Sequence, residues 1–358
     1  MSQKLRKVRI VGAGLLGTSL ALALKGEGVE IELSDTNEAH LALARDLVGP
    51  TAHEGDPDLV VLAIPSSAFK EVIEEEYQLN PHSAFIDLGS TKTQSLVDIE
   101  VFTEIAARFC GTHPMAGREN GGPHGARSDL FQGRPWLVCA TSITTGSVIE
   151  LVEELIARVG GIAIPISAPE HDRAVALISH LPQLVSSLLA KQLLDGPENW
   201  LALAGQGLRD TTRIAASDPE LWKGILSENK EQLRPLLETL RNDLNAAIAG
   251  LDDPFAIEKI VAQGKAGQAR IPGKHGGKSR EYTYLPIVIE DKPGQLAALF
   301  DACSHVNVNV EDLTIEHSPG QFTGLITLAL SSKDSELLSH YLRTSGWNVH
   351  SSRGPSVV

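Results

Sequence analysis

The chain has 358 residues, 42% of them hydrophobic and 21% charged, so it is long enough for two or three globular cores and is not of disordered composition. Its formal net charge of -14 argues against nucleic acid or an anionic membrane as a partner, and no uninterrupted apolar run approaches the about 20 residues that span a bilayer. Three widely spaced cysteines, without a CxxC motif or a Cys/His cluster, indicate neither disulfides nor a metal site and fit a reducing cytoplasm.

Short apolar runs alternate with helix-like segments over residues 1–167. Six of these runs have the pattern of buried strands: residues 8–11, 30–33, 59–63, 84–87, 136–140 and 162–166. This βαβ rhythm predicts an α/β fold with a doubly wound sheet of the Rossmann type, which binds nucleotides.

A glycine motif directly follows the first predicted strand. Gly12, Gly14 and Gly17 have the spacing G-x-G-x-x-G and open a helical pattern. In this context the motif is typical of a dinucleotide site, where the pyrophosphate lies on backbone amides of the helix N-terminus, here at Leu15 and Leu16.

Asp35 ends the second predicted strand. A carboxylate at this point can accept both ribose hydroxyls and would repel a 2′-phosphate, so NAD is expected rather than NADP. Thr36 and Asn37 leave some tolerance for NADP. Alternatively, Asp35 only caps the helix that begins at Asn37.

Residues 87–92, with the sequence DLGSTK, follow the fourth predicted strand. They lie at the carboxyl edge of the sheet, where doubly wound folds bind ligands. Ser90 can position an imidazole or a substrate hydroxyl, and it can also cap the helix that follows.

Residues 111–117, with the sequence GTHPMAG, place one imidazole between glycines. Pro114 limits its own φ and pushes His113 toward extended backbone, while Gly111 and Gly117 allow bends or the close approach of a ligand. We predict a stiff turn on which His113 does acid/base work beside a redox cofactor.

Residues 168–263 have long helical patterns, which predict an all-helical second domain. Ser179 and His180 lie in a proline-containing segment that interrupts the first helical run. Arg209 and Arg213 are four residues apart and share a helix face. Arg213 lies near a helix break and can fork onto a substrate carboxylate, whereas Arg209 is expected to pair with a neighbouring acid or solvent.

Residues 264–281 concentrate glycine and basic residues without periodicity, and are predicted to be a linker. Residues 282–358 then show the βαββαβ order of a ferredoxin-like unit. The turn after its first strand carries Asp291, Pro293 and Gly294.

The ordered set of motifs resembles the prephenate/arogenate dehydrogenases of tyrosine biosynthesis, almost from end to end. The resemblance rests on residues 12–17, 87–92, 111–117, 179–182 and 212–215, followed by Ser217, Asp218, Pro219 and Trp222. The C-terminal unit is similar to an ACT domain, a module that commonly binds amino acids and that many members of the family lack.

This resemblance implies NAD-dependent oxidative decarboxylation of prephenate to 4-hydroxyphenylpyruvate, or of arogenate to tyrosine. His113 would accept the hydrogen bond of the substrate 4-hydroxyl while its imidazole is neutral, and Ser90 would orient it. Arg213 would bind a substrate carboxylate. His180 and Ser179 would help to place the substrate from the opposite wall of a cleft between the nucleotide and helical domains.

The residues leave the substrate and the regulation open. Glu119 can accept the amino group of arogenate or merely lie on its loop, and Gln183, beside His180, is equally ambiguous. The ACT-like unit can bind tyrosine or a related amino acid at residues 291–294 and inhibit the enzyme, or it can serve assembly alone.

A homodimer through the helical domain is expected from relatives of this fold. A β-hydroxyacid or imine reductase has a similar architecture, but it would need a catalytic lysine or a different polar set and gives no reason for residues 111–117. A non-catalytic NAD-binding amino-acid sensor would not need His113, Ser90 and Arg213 together.

Overall fold

The computed structural model describes residues 5–49, 55–100, 102–117, 121–271, 282–317 and 322–351. The chain divides into two compact units, Met1–Leu244 and Asn245–Val358. The first unit contains an open, mostly parallel sheet followed by helices, and the second contains a small antiparallel sheet.

A seven-stranded sheet forms the centre of the first unit. Its strands are β1 (Lys7–Val11), β2 (Glu30–Ser34), β3 (Leu59–Leu62), β4 (Ala84–Asp87), β5 (Phe109–Pro114), β6 (Pro135–Cys139) and β7 (Ile162–Pro165). They lie in the order β2-β1-β3-β4-β5-β6-β7, and every neighbouring pair is parallel except β5 with β6. The predicted Rossmann-type sheet is therefore confirmed. Its strand order changes direction between β1 and β3, where such sheets bind ligands at the carboxyl edge.

Helices cover both faces of this sheet: α1 (Leu15–Leu24), α2 (Glu38–Val48), α3 (Phe69–Leu79), α4 (Thr93–Glu100), α5 (Thr103–Ala106) and α6 (Gly146–Arg158). Along β3, Leu59 and Val61 join one core while Val60 and Leu62 join the other, since alternate residues of a strand point to opposite faces. All four residues are buried, which explains why the strand is a continuous apolar run rather than an alternating one.

Helices follow the sheet: α7 (Ala168–Val175), α8 (Leu181–Lys191), α9 (Glu198–Leu201), α10 (Gln206–Thr212), α11 (Pro219–Glu228), α12 (Lys230–Ala249) and α13 (Pro254–Gln268). The long helical pattern predicted for residues 168–263 is interrupted at residues 202–205, between α9 and α10, and at Asn229, between α11 and α12. The helix α13 extends five residues into the predicted linker, whose residues 272–281 lie outside the described residues.

The turn Ala176–His180 between α7 and α8 is π-helical. Pro182 was expected to interrupt the helix here. The wide turn instead relieves the clash of the proline ring with the preceding turn, so the helical run continues from Ala168 to Lys191. A single wide turn also changes which side chains of the run face inward.

Among the described residues, the helical run Ala168–Lys191 is long and apolar enough to cross a membrane by length and composition alone. The core helix of a soluble protein passes the same test. This run carries five buried polar side chains with hydrogen-bond partners inside the first unit: His171, Asp172, His180, Gln183 and Ser186.

From Thr283 onward, the second unit has the predicted order βαββαβ. Its elements are β8 (Thr283–Glu290), α14 (Gln295–His305), β9 (Asp312–His317), β10 (Thr323–Leu330), α15 (Ser332–Thr344) and β11 (Asn348–Val349). The antiparallel sheet has the order β11-β8-β10-β9. Leu285, Ile287 and Ile289 alternate along β8 and pack with Leu299 and Leu338 of the two helices.

The loop from β1 to α1 depends on its glycines. Gly12 has φ +104°, and a Cβ there would lie 2.3 Å from the carbonyl oxygen of Ala63. A Cβ on Gly17 would lie 1.9 Å from the carbonyl oxygen of Gly12. Gly14 has φ -77° and no heavy atom within 4 Å of the corresponding position. The fold itself therefore requires Gly12 and Gly17, while Gly14 leaves open space at the N-terminus of α1.

We predict that Gly17→Ala and Gly14→Ala differ in stability. Gly17→Ala places a methyl group against the backbone of Gly12. It should lower the free energy of unfolding by about 1–3 kcal/mol or more, as overpacking does. Gly14→Ala has an allowed φ and open space, so it should cost less than about 1 kcal/mol, as a poorer N-cap. Denaturant unfolding measures both, and equal losses would contradict the assigned packing.

Candidate active site

Asp35 lies at the end of β2 and is anchored to the glycine loop. Its Oδ2 accepts a hydrogen bond from the Ala13 amide at 2.6 Å, and its Oδ1 accepts one from the Asn37 amide at 2.7 Å. The cap of α2 is Asn37, whose side chain accepts from two amides of that helix. Asp35 is thus directed toward the glycine loop and is not the cap of α2.

His113 lies in β5 and not in a turn, so the predicted turn is wrong. It pairs with Leu137 of β6, and Pro114 pairs with Trp136, so the extended backbone expected before a proline is built into the sheet. The side chain of His113 is 9% exposed. Its position at the carboxyl end of β5 places it on the same edge of the sheet as the glycine loop after β1.

His113 forms a chain of hydrogen bonds with two residues of α7. Its Nδ1 lies 2.9 Å from Nε2 of His171, and Nδ1 of His171 lies 2.8 Å from Oδ1 of Asp172. The backbone amides of Lys92 and Thr93 donate to the two carboxylate oxygens of Asp172, each at 2.9 Å. The imidazole, the carboxylate and the start of α4 therefore form one buried network.

Burial lowers the pKa of His113 well below its usual range. His171, Lys92 and His180 lower this pKa further, against the opposing effect of Asp172. Burial by itself would raise the pKa of Asp172, but hydrogen bonds from His171, Thr93 and Lys92 outweigh it and bring the value to about 2. At neutral pH the network holds a carboxylate and a neutral His113.

His180 lies at the end of the π-helical turn, 1% exposed. Asn229 donates through Nδ2 to the backbone carbonyl of Asp172 at 2.7 Å, and the same nitrogen lies 3.1 Å from Nδ1 of His180. The ring of Trp222 meets His180 edge to face, with 6.0 Å between centroids. Burial lowers the pKa of His180 to about 4, so this imidazole is also neutral at pH 7.

The DLGSTK segment supplies a buried ion pair. Lys92 is fully buried and bonds to the carboxylate of Asp87, which also accepts from the amides of Gly89 and Thr112 at 3.1 Å. Ser90 is partly buried on the loop between them. Since Nδ1 of His113 is bonded to His171, orientation of the imidazole by Ser90 stays a prediction.

Two hydrogen bonds hold the backbone of residues 211–214, which include Arg213, against α8. Gln183 donates to the carbonyl of Ile214 at 3.0 Å, and Ser186 donates to the carbonyl of Thr211 at 2.8 Å. Arg213 begins a 3-10 turn and is exposed. Gln183 therefore has a positioning contact, which the sequence did not decide.

Ser179 and Glu119 are the remaining predicted site residues. Ser179 is partly buried in the π-helical turn, beside His180. Glu119 lies outside the described residues. No group of three or more His, Cys, Asp or Glu side chains that could hold a metal ion occurs among the residues that the structure covers.

Sequence reasoning missed His171, Asp172 and Asn229. The signal that could have indicated the first two is an adjacent His and Asp at the start of a helix, because a helix that packs on a sheet rarely buries a charged residue without a partner. Asn229 carried no comparable signal.

The chain is similar to known proteins over most of its length. Family models match residues 20–164 to "Prephenate dehydrogenase, nucleotide-binding domain" and residues 167–256 to "Prephenate dehydrogenase, dimerization domain". The probable prephenate dehydrogenase NovF of Streptomyces niveus is 29% identical over 362 residues, which cover 97% of this chain and 100% of the relative. The cyclohexadienyl dehydrogenase of Zymomonas mobilis is 30% identical over 279 residues, which cover 73% of this chain and 94% of the relative.

A solved structure is also similar. Prephenate dehydrogenase from A. aeolicus, in complex with hydroxyphenyl propionate and NAD+, is 29% identical and has a TM-score of 0.68. The likeness covers 76% of this chain and 100% of that chain. The motifs, the fold, both family models and relatives that match over most of their length lead to one conclusion: the chain belongs to the prephenate dehydrogenase family.

Proposed function

We propose that the chain is an NAD-dependent dehydrogenase that converts prephenate to 4-hydroxyphenylpyruvate by oxidative decarboxylation, in tyrosine biosynthesis. The observation that carries this proposal is a buried, neutral His113 on the same sheet edge as the dinucleotide loop. The strands β1 and β5 are three steps apart, or about 14 Å at the usual strand spacing. A cofactor that starts at the loop and crosses this edge can reach the imidazole.

The residues at the loop fit NAD. Gly14 leaves open space where the amides of Leu15 and Leu16 begin α1, and such orphan amides attract a pyrophosphate. Asp35, bonded to the Ala13 amide of the same loop, is an acceptor for ribose hydroxyls and a repulsive group for a 2′-phosphate. NAD, when bound there, supplies the acceptor for the hydride that leaves C4 of the substrate.

His113 then takes the proton of the 4-hydroxyl as the hydride departs, which leaves a ketone at C4. Loss of the ring carboxylate as carbon dioxide returns its electron pair to the ring, and the oxygen takes a proton back as a phenol. Aromatisation drives the reaction, so the residues mainly supply positioning and base catalysis. We assign Arg213 to a substrate carboxylate and His180, with Ser179, to the opposite wall.

The assay that tests this function follows NADH absorbance with purified full-length protein, NAD and either prephenate or arogenate. Faster turnover of prephenate supports the proposal. Faster turnover of arogenate would keep the reaction class and change the substrate, and no turnover of either would leave the non-catalytic sensor.

We predict that His113→Asn lowers kcat by about 10²–10⁴-fold, the usual contribution of a general base, while the affinity for NAD is unchanged. In wild type, kcat/KM should stay on its plateau below pH 6.5, because the lowered pKa keeps His113 unprotonated there. Steady-state kinetics against pH measure both. A near-wild-type kcat in the variant would remove His113 from the mechanism.

We also predict that Arg213→Gln raises KM by about tenfold or more and changes kcat less, as expected when a charged bond to substrate is lost. Arg209→Gln is the matched control, one turn earlier in the same segment and also exposed. If both variants have the same KM for prephenate and arogenate as wild type, Arg213 does not bind the substrate.

We propose that the chain forms a homodimer in the cytoplasm through its helical residues. The matched family model describes residues 167–256 as a dimerization domain. Within this range, the helical run Ala168–Lys191 has large exposed apolar side chains that a second copy of the chain could cover, namely Leu177, Ile178, Leu188 and Leu189.

We further propose that the second unit is an ACT-like regulatory domain that binds tyrosine or a related amino acid. A cavity of 380 Å³ lies at the turn from β8 to α14, and the predicted residues Asp291, Pro293 and Gly294 all line it. Gly294 has φ +87° and precedes the first turn of α14. The N-terminus of α14 at this turn suits a carboxylate, and Ile315 supplies an apolar wall.

We predict that Ile315→Arg abolishes inhibition by tyrosine in the full-length enzyme, because a long cation fills the cavity. Leu313→Arg is the matched control: it changes a similarly exposed residue of β9 on the same face, outside the cavity lining. Inhibition curves at fixed prephenate decide between them. Undiminished inhibition in Ile315→Arg would place the tyrosine effect elsewhere, for example in the active site.

A further inference from the structure

Asp172 is connected to both histidines of the proposed active site. Its side chain reaches His113 through His171, and its backbone carbonyl reaches His180 through Asn229. All five residues are at most 9% exposed. One residue of α7 therefore lies at the junction of two hydrogen-bond chains.

The first chain determines which nitrogen of His113 carries a hydrogen. Ionised Asp172 can only accept, so Nδ1 of His171 donates across the 2.8 Å contact. When His171 carries a single ring hydrogen, on Nδ1, its Nε2 has a lone pair, and Nδ1 of His113 donates across the 2.9 Å contact. In neutral His113 the remaining nitrogen, Nε2, is left with a lone pair.

The second chain has the opposite result at His180. The Nδ2 of Asn229 donates to the carbonyl of Asp172, so the amide orientation is determined, and an amide nitrogen has only hydrogens to offer. Nδ1 of His180, 3.1 Å from that nitrogen, must therefore accept. In neutral His180 the hydrogen is on Nε2.

We propose that Asp172 holds His113 and His180 in opposite tautomers, one presenting a lone pair at Nε2 and the other a hydrogen at Nε2. This inference rests on the proposed function and deepens it. The lone pair of His113 receives the substrate hydroxyl hydrogen, and the N–H of His180 donates to a substrate oxygen. Asp172, His171 and Asn229 are positioning residues, because they act through the two imidazoles.

The same arrangement serves the proton after transfer. When the hydroxyl proton moves to Nε2 of His113, the imidazolium keeps its Nδ1–H bond to His171, and the charge of Asp172 stabilises it. The proton returns to the ring oxygen after carbon dioxide leaves. The titratable and charged groups that face His113 are His171 and Asp172 of α7, Lys92 paired with Asp87, and His180.

The direct test is nitrogen-15 NMR of the histidine side chains in the full-length protein at neutral pH, with His113 and His180 assigned from the spectra of His113→Asn and His180→Asn. We expect hydrogen on Nδ1 of His113 and on Nε2 of His180. Hydrogen on Nε2 of His113 would overturn the proposal, whether or not the protein turns over prephenate. Absence of wild-type turnover would instead count against the proposed function.

Kinetics of His171 variants give a second test. His171→Phe keeps a ring but removes the acceptor for His113, so kcat should fall by about 10²–10⁴-fold with KM and NAD affinity little changed. His171→Gln can place an amide oxygen near the same nitrogen and should recover at least about tenfold of that loss. A kcat of His171→Phe within threefold of wild type would overturn the proposal.

Two further variants separate positioning from a structural role. Asp172→Asn removes the charge that favours protonated His113, so the acid limb of kcat/KM should move to lower pH. A structural defect would lower activity at all pH values and leave the limb in place, which would count against this electrostatic role. Asn229→Ala should raise KM more than it lowers kcat, because it frees the tautomer of His180; the reverse pattern would remove the second chain from the proposal.

Discussion

The carboxylate of Asp172 joins the sheet to the helices that follow it. It accepts from the amides of Lys92 and Thr93, which open α4, and from the imidazole of His171 beside it. The first amides of a helix have no partner within the helix, so an acceptor from outside satisfies them and benefits from the helix dipole. A buried carboxylate without such donors would be strongly destabilising. The contact therefore places α7 against α4 and, in doing so, places His171 against His113.

Burial makes His113 a weak but constantly available base. A low pKa keeps the imidazole neutral, yet it also reduces the driving force for proton transfer. The proposed reaction tolerates a weak base, because departure of a hydride from C4 makes the attached hydroxyl strongly acidic. Lys92 opposes protonation of His113, whereas Asp172 favours it, and the ion pair of Lys92 with Asp87 offsets part of the lysine charge. Burial has the largest effect on the basicity of His113, and the balance of these charges adjusts it.

The sequence predicted those features whose chemistry is local. Gly12, Gly17 and the strand before them form a motif with a fixed spacing, and the structure gives each glycine a steric reason. The sequence identified His113 as a candidate, but it predicted a turn where the structure has the strand β5. The extension of β5 to Pro114 depends on pairing with residues 135–139, which lie far away in the sequence. Contacts between residues 58 and 80 positions apart bring His171 and Asp172 into the site, and no periodic pattern encodes them.

Neutral histidines leave the charge of the substrate to other groups. Prephenate carries two carboxylates, and a protonated imidazole in this interior is disfavoured, since burial lowers the pKa of both His113 and His180. An arginine stays charged under all relevant conditions, but its charge is least costly where solvent remains. Arg213 meets this condition, because it is exposed while Gln183 and Ser186 hold its backbone segment against α8. Recognition of charge at an exposed arginine and transfer of the proton at a buried histidine are therefore compatible within one site, since each group lies in the dielectric environment that its task requires.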